Sequence, residues 1–151
     1  MMARLNTSTM LPKNTVITTE EDDMTVFEIV QNFGFKQIFN VASFDGRKIV
    51  NSAVTSTRRS DTRDLLLIEC DYNEIKLILT PDHKVYDLGN KRFIRAIDLK
   101  TETLLKHVDN IDIKVAGIRK IQNTTLEDVY TLTIDKNQCF FADGVLVHND
   151  L

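Results

Sequence analysis

The C-terminal end of this sequence offers its clearest chemistry, because a histidine directly precedes an asparagine at His148-Asn149. The side-chain amide of an asparagine can attack its own backbone carbonyl, which closes a succinimide ring and breaks the bond to the next residue. The amide is a poor nucleophile and the peptide nitrogen is a poor leaving group, so this reaction needs positioning and proton transfer. An adjacent histidine can hydrogen-bond the carbonyl or protonate the leaving nitrogen, because its pKa lies near neutrality. The bond that would break is Asn149–Asp150.

A second candidate lies in the middle of the chain, where Thr80-Pro81-Asp82-His83 places a hydroxyl and an imidazole three residues apart. Pro81 biases Thr80 towards an extended conformation. Taken alone, this segment is also good turn chemistry, and a final histidine and asparagine could be a tail without a role. Each pattern is weak by itself, so the interpretation depends on the elements around them.

Composition limits the classes of protein to which the chain can belong. It has 151 residues, of which 42% are hydrophobic and 27% charged, and this suits one globular domain. The net charge of -3 argues against a nucleic-acid binder. No apolar run approaches the roughly 20 residues that span a bilayer, and MMARLNTST lacks the apolar core of a signal peptide. Cys70, Cys139 and the three histidines form no zinc pattern. We therefore expect a cytoplasmic domain with reduced cysteines, without nucleic-acid or membrane partners.

Short strands dominate the predicted secondary structure. Thr25 followed by Glu28 is a capping box, so Thr25–Phe33 is predicted to be a short helix. The dipeptides Asp45-Gly46 and Asp143-Gly144 predict tight hairpin turns. Many short strands with few helices indicate an all-β fold. The strands that matter below are predicted separately at Leu65–Cys70, Asp112–Ile121 and Val129–Ile134.

The stretch Phe140–Asn149, together with Val129–Ile134, resembles the two C-terminal splicing blocks of inteins. Leu79–Val85 resembles the internal block of that family, which carries a threonine and a histidine three residues later. Leu11–Thr19 is similar to the opening block directly after its first residue, and Arg95–Leu99 is similar to a short segment after the histidine block. Together these matches cover residues 10–149. The resemblance implies an all-β, horseshoe-like Hint fold with one or two short helices, in which the two termini meet.

The resemblance also implies roles for individual residues. Thr80 would donate a hydrogen bond to the amide or the oxyanion at the N-terminal junction, and His83 would protonate the leaving nitrogen there. His148 and Asn149 would perform the C-terminal cleavage. The family needs no metal, cofactor or nucleotide, and its partners are the flanking extein segments of the same chain. Residues 10–149 would then be a mini-intein, with residues 1–9 and 150–151 as its flanks.

Several positions depart from the pattern of the family. Met10 occupies the position of the first nucleophile, and Asp150 follows the asparagine where splicing needs Cys, Ser or Thr. Thr131 stands where many members have an aspartate, and Gln138 or Cys139 stands where many have a histidine. We therefore expect that this chain does not splice, although it can cleave slowly after its asparagine.

Two alternatives for the function stay open. One is a cleavage-only bacterial intein-like domain, and the other is a non-catalytic β-domain in which the motif residues are relics. A separate question concerns Met24, which follows an acidic run. It could begin a separate fragment, so that the chain joins two pieces of a split intein near Asp23-Met24 and a complementary fragment is its partner, or it could be an ordinary loop residue.

Three further features receive structural interpretations. We expect His107 to be a solvated side chain because it matches no motif. Cys139 is expected to pack in the core rather than to act as an internal nucleophile. The basic residues Arg58, Arg59 and Arg63 are expected to form one face of a loop.

Overall fold

The computed structural model describes residues 10–35 and 38–149, without the side chains of residues 123 and 124. Within these ranges, twelve strands form one sheet, accompanied by a single α-helix and a 3-10 turn, so the all-β prediction is confirmed. The strands are β1 (Leu11–Pro12), β2 (Val16–Ile17), β3 (Met24–Thr25), β4 (Asn40–Phe44), β5 (Ile49–Cys70), β6 (Lys76–Leu79), β7 (Lys84–Asp87), β8 (Arg92–Arg95), β9 (Leu104–Lys106), β10 (Asp112–Ile134), β11 (Cys139–Ala142) and β12 (Val145–His148). The helix α1 is Val26–Asn32 and the 3-10 turn is Ala96–Asp98.

The sheet runs in the order β3-β2-β11-β12-β7-β9-β10-β5-β4, with β1 added on β10, β6 on β5 and β8 on β7. The strand pairs are antiparallel, as short hairpin connections require. The order places β2, β3 and the last strand, β12, in the same half of the sheet. The chain therefore returns to its own beginning.

Two long strands, β5 and β10, form a ribbon that is longer than the sequence predicted. They pair from Val115–Cys70 to Ile134–Val54, with register shifts along the way. The predicted strands 112–121 and 129–134 are one strand of 23 residues. The middle of the 22-residue β5 is largely exposed, so it has no apolar alternation that would have revealed a strand. Arg58, Arg59 and Arg63 lie on this strand, so the prediction of a loop face there is wrong.

The predicted helix is confirmed, with Thr25 as its N-cap. The Glu28 N–H donates to Thr25 Oγ1 at 3.1 Å, and the Thr25 N–H donates to the Glu28 carboxylate at 2.9 Å. This reciprocal pair satisfies amides that a helix start leaves open. The N–H groups of Val26 and Phe27 donate to the carbonyls of Thr15 and Lys13. The helix therefore anchors the segment that follows β1.

The Asp143-Gly144 turn joins β11 to β12 and sets the position of the last strand. Both residues have positive φ, 47° and 84°, as a type I′ hairpin turn requires. The hairpin prediction at this turn is confirmed. Its register pairs Cys139 with His148, so the final histidine lies beside the start of β11.

Most buried apolar side chains form one core, but Met10 belongs to a small separate cluster. Its side chain is fully buried with Val129 and Leu65, and Ile78 and Ile121 pack against them. Met10 therefore acts as a packing residue at the start of β1. No helix within the described ranges is long and apolar enough to cross a membrane.

Candidate active site

The sheet brings both ends of the described chain to the turn that links β6 to β7. β1 pairs with β10 through Leu11 and Tyr130, and residue 10 lies beside this turn because the Thr80 N–H donates to its carbonyl. β12 pairs with β7 through Val147 and Val85, which places residue 148 on its other side. The turn at residues 80–83 therefore lies between the two ends.

Thr80 holds both backbone polar groups of Met10. The Met10 N–H donates to Thr80 Oγ1 at 2.9 Å. The Thr80 hydroxyl and the Thr80 N–H donate to the Met10 carbonyl oxygen at 3.2 and 3.0 Å. Towards the amide nitrogen of residue 10, the hydroxyl is thus an acceptor rather than the predicted donor. The structure nevertheless places Thr80 in direct contact with Met10, the position of the first nucleophile.

His83 contacts both ends of the chain. Its Nε2 lies 2.8 Å from the carbonyl oxygen of His148, and its Nδ1 lies 3.5 Å from the carbonyl oxygen of Met10. A carbonyl oxygen only accepts, so Nε2 carries a proton and donates it. The contact at Nδ1 is at the outer limit of hydrogen bonding. The imidazole is fully buried, which keeps both contacts away from competing water.

The turn that carries Thr80 and His83 is fixed by the segment that follows β8. The His83 N–H donates to the Thr80 carbonyl at 3.1 Å and closes the turn. The Ala96 N–H donates to the His83 carbonyl at 2.8 Å, and the Ile97 N–H donates to the Pro81 carbonyl at 3.0 Å. Residues 95–99, which resemble the segment after the histidine block, therefore support this turn through backbone hydrogen bonds.

His148 is oriented towards the carbonyl of the next residue. Its Nδ1 lies 2.9 Å from the Asn149 carbonyl oxygen and donates to it. The ring also packs edge-on against Phe93, with centroids 4.9 Å apart. Phe93 in turn packs edge-on against Tyr86, with ring centroids 5.0 Å apart. The imidazole is thus held against the carbonyl that asparagine cyclisation would attack.

Asn149 is buried to 1% exposure at the end of the described chain. Its N–H donates to the Gln138 carbonyl at 2.9 Å, and its Nδ2 donates to the Ile134 carbonyl at 3.3 Å. Its Oδ1 is buried and has no hydrogen-bond partner among the described residues. The side-chain amide is therefore oriented through its nitrogen, which is the atom that would attack.

Thr131 lies on β10 next to the N-terminal junction. Leu11 pairs with Tyr130, so one further step in the register places Thr131 across from Met10. The side chain is fully buried, and its Oγ1 has no hydrogen-bond partner among the described residues. A buried polar group without a partner costs roughly 1–3 kcal/mol, and native proteins contain only a few such groups.

Three groups at this site were absent from the sequence interpretation. The carbonyls of Ile134 and Gln138 hold Asn149, and Phe93 packs against His148. Every residue has a carbonyl, so no residue type could have indicated the first two. Gln138 has a positive φ of 58°, which the sequence also did not indicate. Asp150, at the predicted scissile bond, and the flanks 1–9 and 150–151 lie outside the described residues.

His107 is buried to 7% exposure, so the prediction of a solvated side chain is wrong. Its Nδ1 accepts the Asp109 N–H at 3.0 Å, and its ring packs edge-on against Tyr72. A Cβ added at Gly144 would lie 2.6 Å from its Nε2, so the ring lies directly under the β11–β12 turn. Burial lowers the pKa of His107, and the Asp109 carboxylate opposes this in part.

We expect the stability of the fold to depend on pH through His107. Its folded pKa lies below the unfolded value near 6.5, so the unfolded state binds more protons in acid. The stabilising contribution is complete above the unfolded pKa and is lost as pH falls towards the folded pKa. Denaturant titrations at about pH 7.5 and about pH 5.5 should show a smaller loss of unfolding free energy for His107→Asn than for the parent chain. Equal losses would contradict this assignment.

Cys139 packs in the core, which confirms its structural interpretation. Burial raises the pKa of its thiol, despite hydrogen bonds with Ser43 and the Phe44 carbonyl. A thiol held protonated is a weak nucleophile. Within residues 10–35 and 38–149, no group of three or more His, Cys, Asp or Glu side chains is placed to hold a metal ion.

Comparison with known proteins gives matches in structure alone. No protein-family model matches the sequence, and no curated protein matches it. The bacterial intein-like domain from Clostridium thermocellum is 19% identical, with a TM-score of 0.80 over 93% of this chain and 99% of that one. An intein from a hyperthermophile is 17% identical, with a TM-score of 0.79 over 93% and 99%. A DnaB intein from Synechocystis is 14% identical, with a TM-score of 0.74 over 94% and 99%.

These neighbours define the architecture. The chain has the Hint fold of inteins, as the sequence motifs predicted, and it spans nearly the full length of each neighbour. At such low identities the likeness establishes the fold, whereas the chemistry has to be argued from the residues of this chain.

Proposed function

We propose that this chain is a self-processing domain of the protein-splicing type that retains asparagine cyclisation at its C-terminal end and lacks the N-terminal acyl shift. The observation that supports this most strongly is the contact of His148 Nδ1 with the Asn149 carbonyl oxygen at 2.9 Å. It places a proton donor on the one carbonyl that the neighbouring side-chain amide can attack. The buried Asn149 amide is held through its nitrogen at the same point.

In the C-terminal reaction, Asn149 Nδ2 attacks the carbonyl carbon of its own residue. A C–N bond closes the succinimide ring, and the C–N bond to Asp150 breaks. Nδ2 loses one proton, and the departing nitrogen of residue 150 gains one. His148 stabilises the negative charge that develops on the carbonyl oxygen, because its Nδ1–H already points there. Asn149 is 1% exposed, which limits the access of water and favours cyclisation over hydrolysis.

At the N-terminal junction, a cysteine at position 10 would attack the carbonyl of residue 9. The thiol would give up its proton, the nitrogen of residue 10 would gain one, and a thioester would replace the amide. Thr80 already holds this nitrogen, since the Met10 N–H donates to its hydroxyl. Met10 blocks the step, because a thioether has no ionisable proton and cannot carry an acyl group in this way. In this proposal Met10 contributes packing at this position but no acyl acceptor.

Ligation of the flanks would fail for a second reason. Asp150 offers a carboxylate where splicing needs the thiol or hydroxyl of Cys, Ser or Thr. The flanking residues 1–9 and 150–151 are then the partners of the domain, and no cofactor takes part. Both cysteines are free, in keeping with the cytoplasmic location that we include in the proposal.

A cleavage-only bacterial intein-like domain is the second candidate. Asp150 favours it, because a domain that only cleaves does not need a nucleophile after its asparagine.

A further form of the proposal concerns Met24, which lies on β3 directly after exposed acidic residues. A chain break before Met24 would leave residues 10–23 as a separate fragment that contributes the buried Met10, Leu11 and Ile17.

Time-resolved mass spectrometry of the chain with a longer segment after Leu151 tests the proposal. We expect slow release of everything after Asn149, and at least a 100-fold slower release in Asn149→Ala, because the nucleophile is then absent. Asn149→Asp is the matched control, since it keeps the shape and lacks the amide nitrogen. Release that continues unchanged in both variants would refute asparagine cyclisation. A natively folded parent chain that releases nothing would favour the relic domain.

A further inference from the structure

We propose that His83 also positions the C-terminal peptide for asparagine cyclisation, through the hydrogen bond from its Nε2 to the His148 carbonyl oxygen. This inference rests on the proposed function, and it adds a role to a residue that the family resemblance links to the N-terminal junction. The contact is 2.8 Å long, whereas the contact of His83 with the Met10 carbonyl is 3.5 Å. The shorter hydrogen bond of this imidazole therefore goes to the C-terminal end.

The hydrogen bond fixes one peptide plane at both of its polar ends. The peptide unit between His148 and Asn149 contains the carbonyl that His83 contacts and the N–H that donates to the Gln138 carbonyl at 2.9 Å. A peptide unit is planar, so two fixed ends determine its orientation. That orientation sets the start of Asn149 and therefore the path from its Nδ2 to its own carbonyl carbon.

The same peptide unit also sets the place of the His148 ring. His83 holds the backbone of His148. The His148 ring packs on Phe93, and the His148 Nδ1 reaches the Asn149 carbonyl. A peptide that can rotate would separate this donor from its target. A misplacement of about 1 Å can cost roughly 100-fold in rate, even when the residue that moves is not the one that reacts.

The two nitrogens of His83 can be examined separately. Nε2 donates to the C-terminal carbonyl, and Nδ1 faces the N-terminal junction. A glutamine side chain is long enough to place an amide donor near the position of Nε2. An asparagine side chain reaches only as far as Nδ1. His83→Gln and His83→Asn therefore form a matched pair with the same functional group at different reach.

The experiment uses the full chain with Met10 retained and a longer segment after Leu151. The N-terminal step is blocked in this background, so release after Asn149 reports the C-terminal reaction alone. We expect His83→Asn to slow release by roughly 10-fold or more, because the His148 carbonyl loses its buried donor. We expect His83→Gln to stay within about 3-fold of the parent chain, because a donor is restored at the same place. Amide dispersion in two-dimensional NMR spectra checks that both variants are folded.

The outcomes separate this inference from the proposed function. If the parent chain does not cleave, or if Asn149→Ala cleaves equally, the proposed function fails. If cleavage depends on Asn149 while His83→Asn and His83→Gln cleave like the parent chain, the positioning role of His83 is refuted. If both His83 variants misfold, an NMR measurement on the parent chain tests the same hydrogen bond. The nitrogen resonances of His83 should show a proton on Nε2 that exchanges slowly with water, and an unprotonated Nε2 would overturn the inference.

Discussion

Met10→Cys combined with Asp150→Ser is expected to give a chain that joins its flanking segments. Both acyl acceptors that the splicing pathway needs are then present, and the remaining residues already meet at one point. The Met10 N–H, which becomes the leaving nitrogen, donates to Thr80 Oγ1 at 2.9 Å. The smaller side chain leaves a cavity beside Leu65 and Val129, so we expect a cost of about 1–3 kcal/mol in unfolding free energy.

Ligation is measured with distinguishable protein segments fused before residue 10 and after residue 150, followed by mass spectrometry of the joined product. The single variants are the controls. Met10→Cys alone should give a thioester that added thiols cleave, without ligation, and Asp150→Ser alone should behave like the parent chain. A folded double variant that forms neither thioester nor ligated product would show that the N-terminal half of the site is not catalytic.

Thr80→Val in the Met10→Cys background is expected to slow thiol-induced cleavage at the N-terminal junction by roughly 10- to 100-fold. Valine has nearly the shape of threonine but leaves the buried Met10 N–H and carbonyl without the hydroxyl that contacts both. The loss of such a contact costs about 1–3 kcal/mol, which corresponds to that change in rate.

The matched control for this effect is Thr80→Ser, which keeps the hydroxyl and removes only a methyl group. We expect its cleavage rate to lie within about 3-fold of the Met10→Cys parent, because a surviving hydroxyl keeps both hydrogen bonds. Thiol-induced cleavage is followed by mass spectrometry of the released N-terminal segment. Equal rates for the valine and serine variants would mean that Thr80 is a turn residue without a part in the reaction.

The fold could be predicted from the sequence because several short motifs agreed in order and spacing. The capping box at Thr25 and the turn at Asp143-Gly144 are local, and local chemistry decided both of them. The long β5–β10 ribbon could not be predicted, because its exposed middle carries no apolar pattern and is stabilised by backbone pairing. Periodicity detects burial on one face, and such a ribbon has little of it.

The sequence indicated the side chains of the candidate site but not the backbone groups that hold them. Thr80, His83, His148 and Asn149 follow from motif positions, and the structure brings them to one place. The carbonyls that hold Asn149 come from strand ends and turns that only the folded chain assembles. His107 was misjudged for the same reason, because its burial comes from a distant glycine turn.

In the proposed reaction, Asn149 breaks the chain by attacking its own carbonyl in a pocket shared by both ends of the domain. The most direct test of this reaction is the chemical form of the residue at the new C-terminus after release of the segment that follows. Mass spectrometry of freshly cleaved protein should find a terminal aminosuccinimide, which is lighter by one water than a terminal asparagine. A terminal asparagine from the outset, with no succinimide at any time, would show hydrolysis instead and would refute asparagine cyclisation.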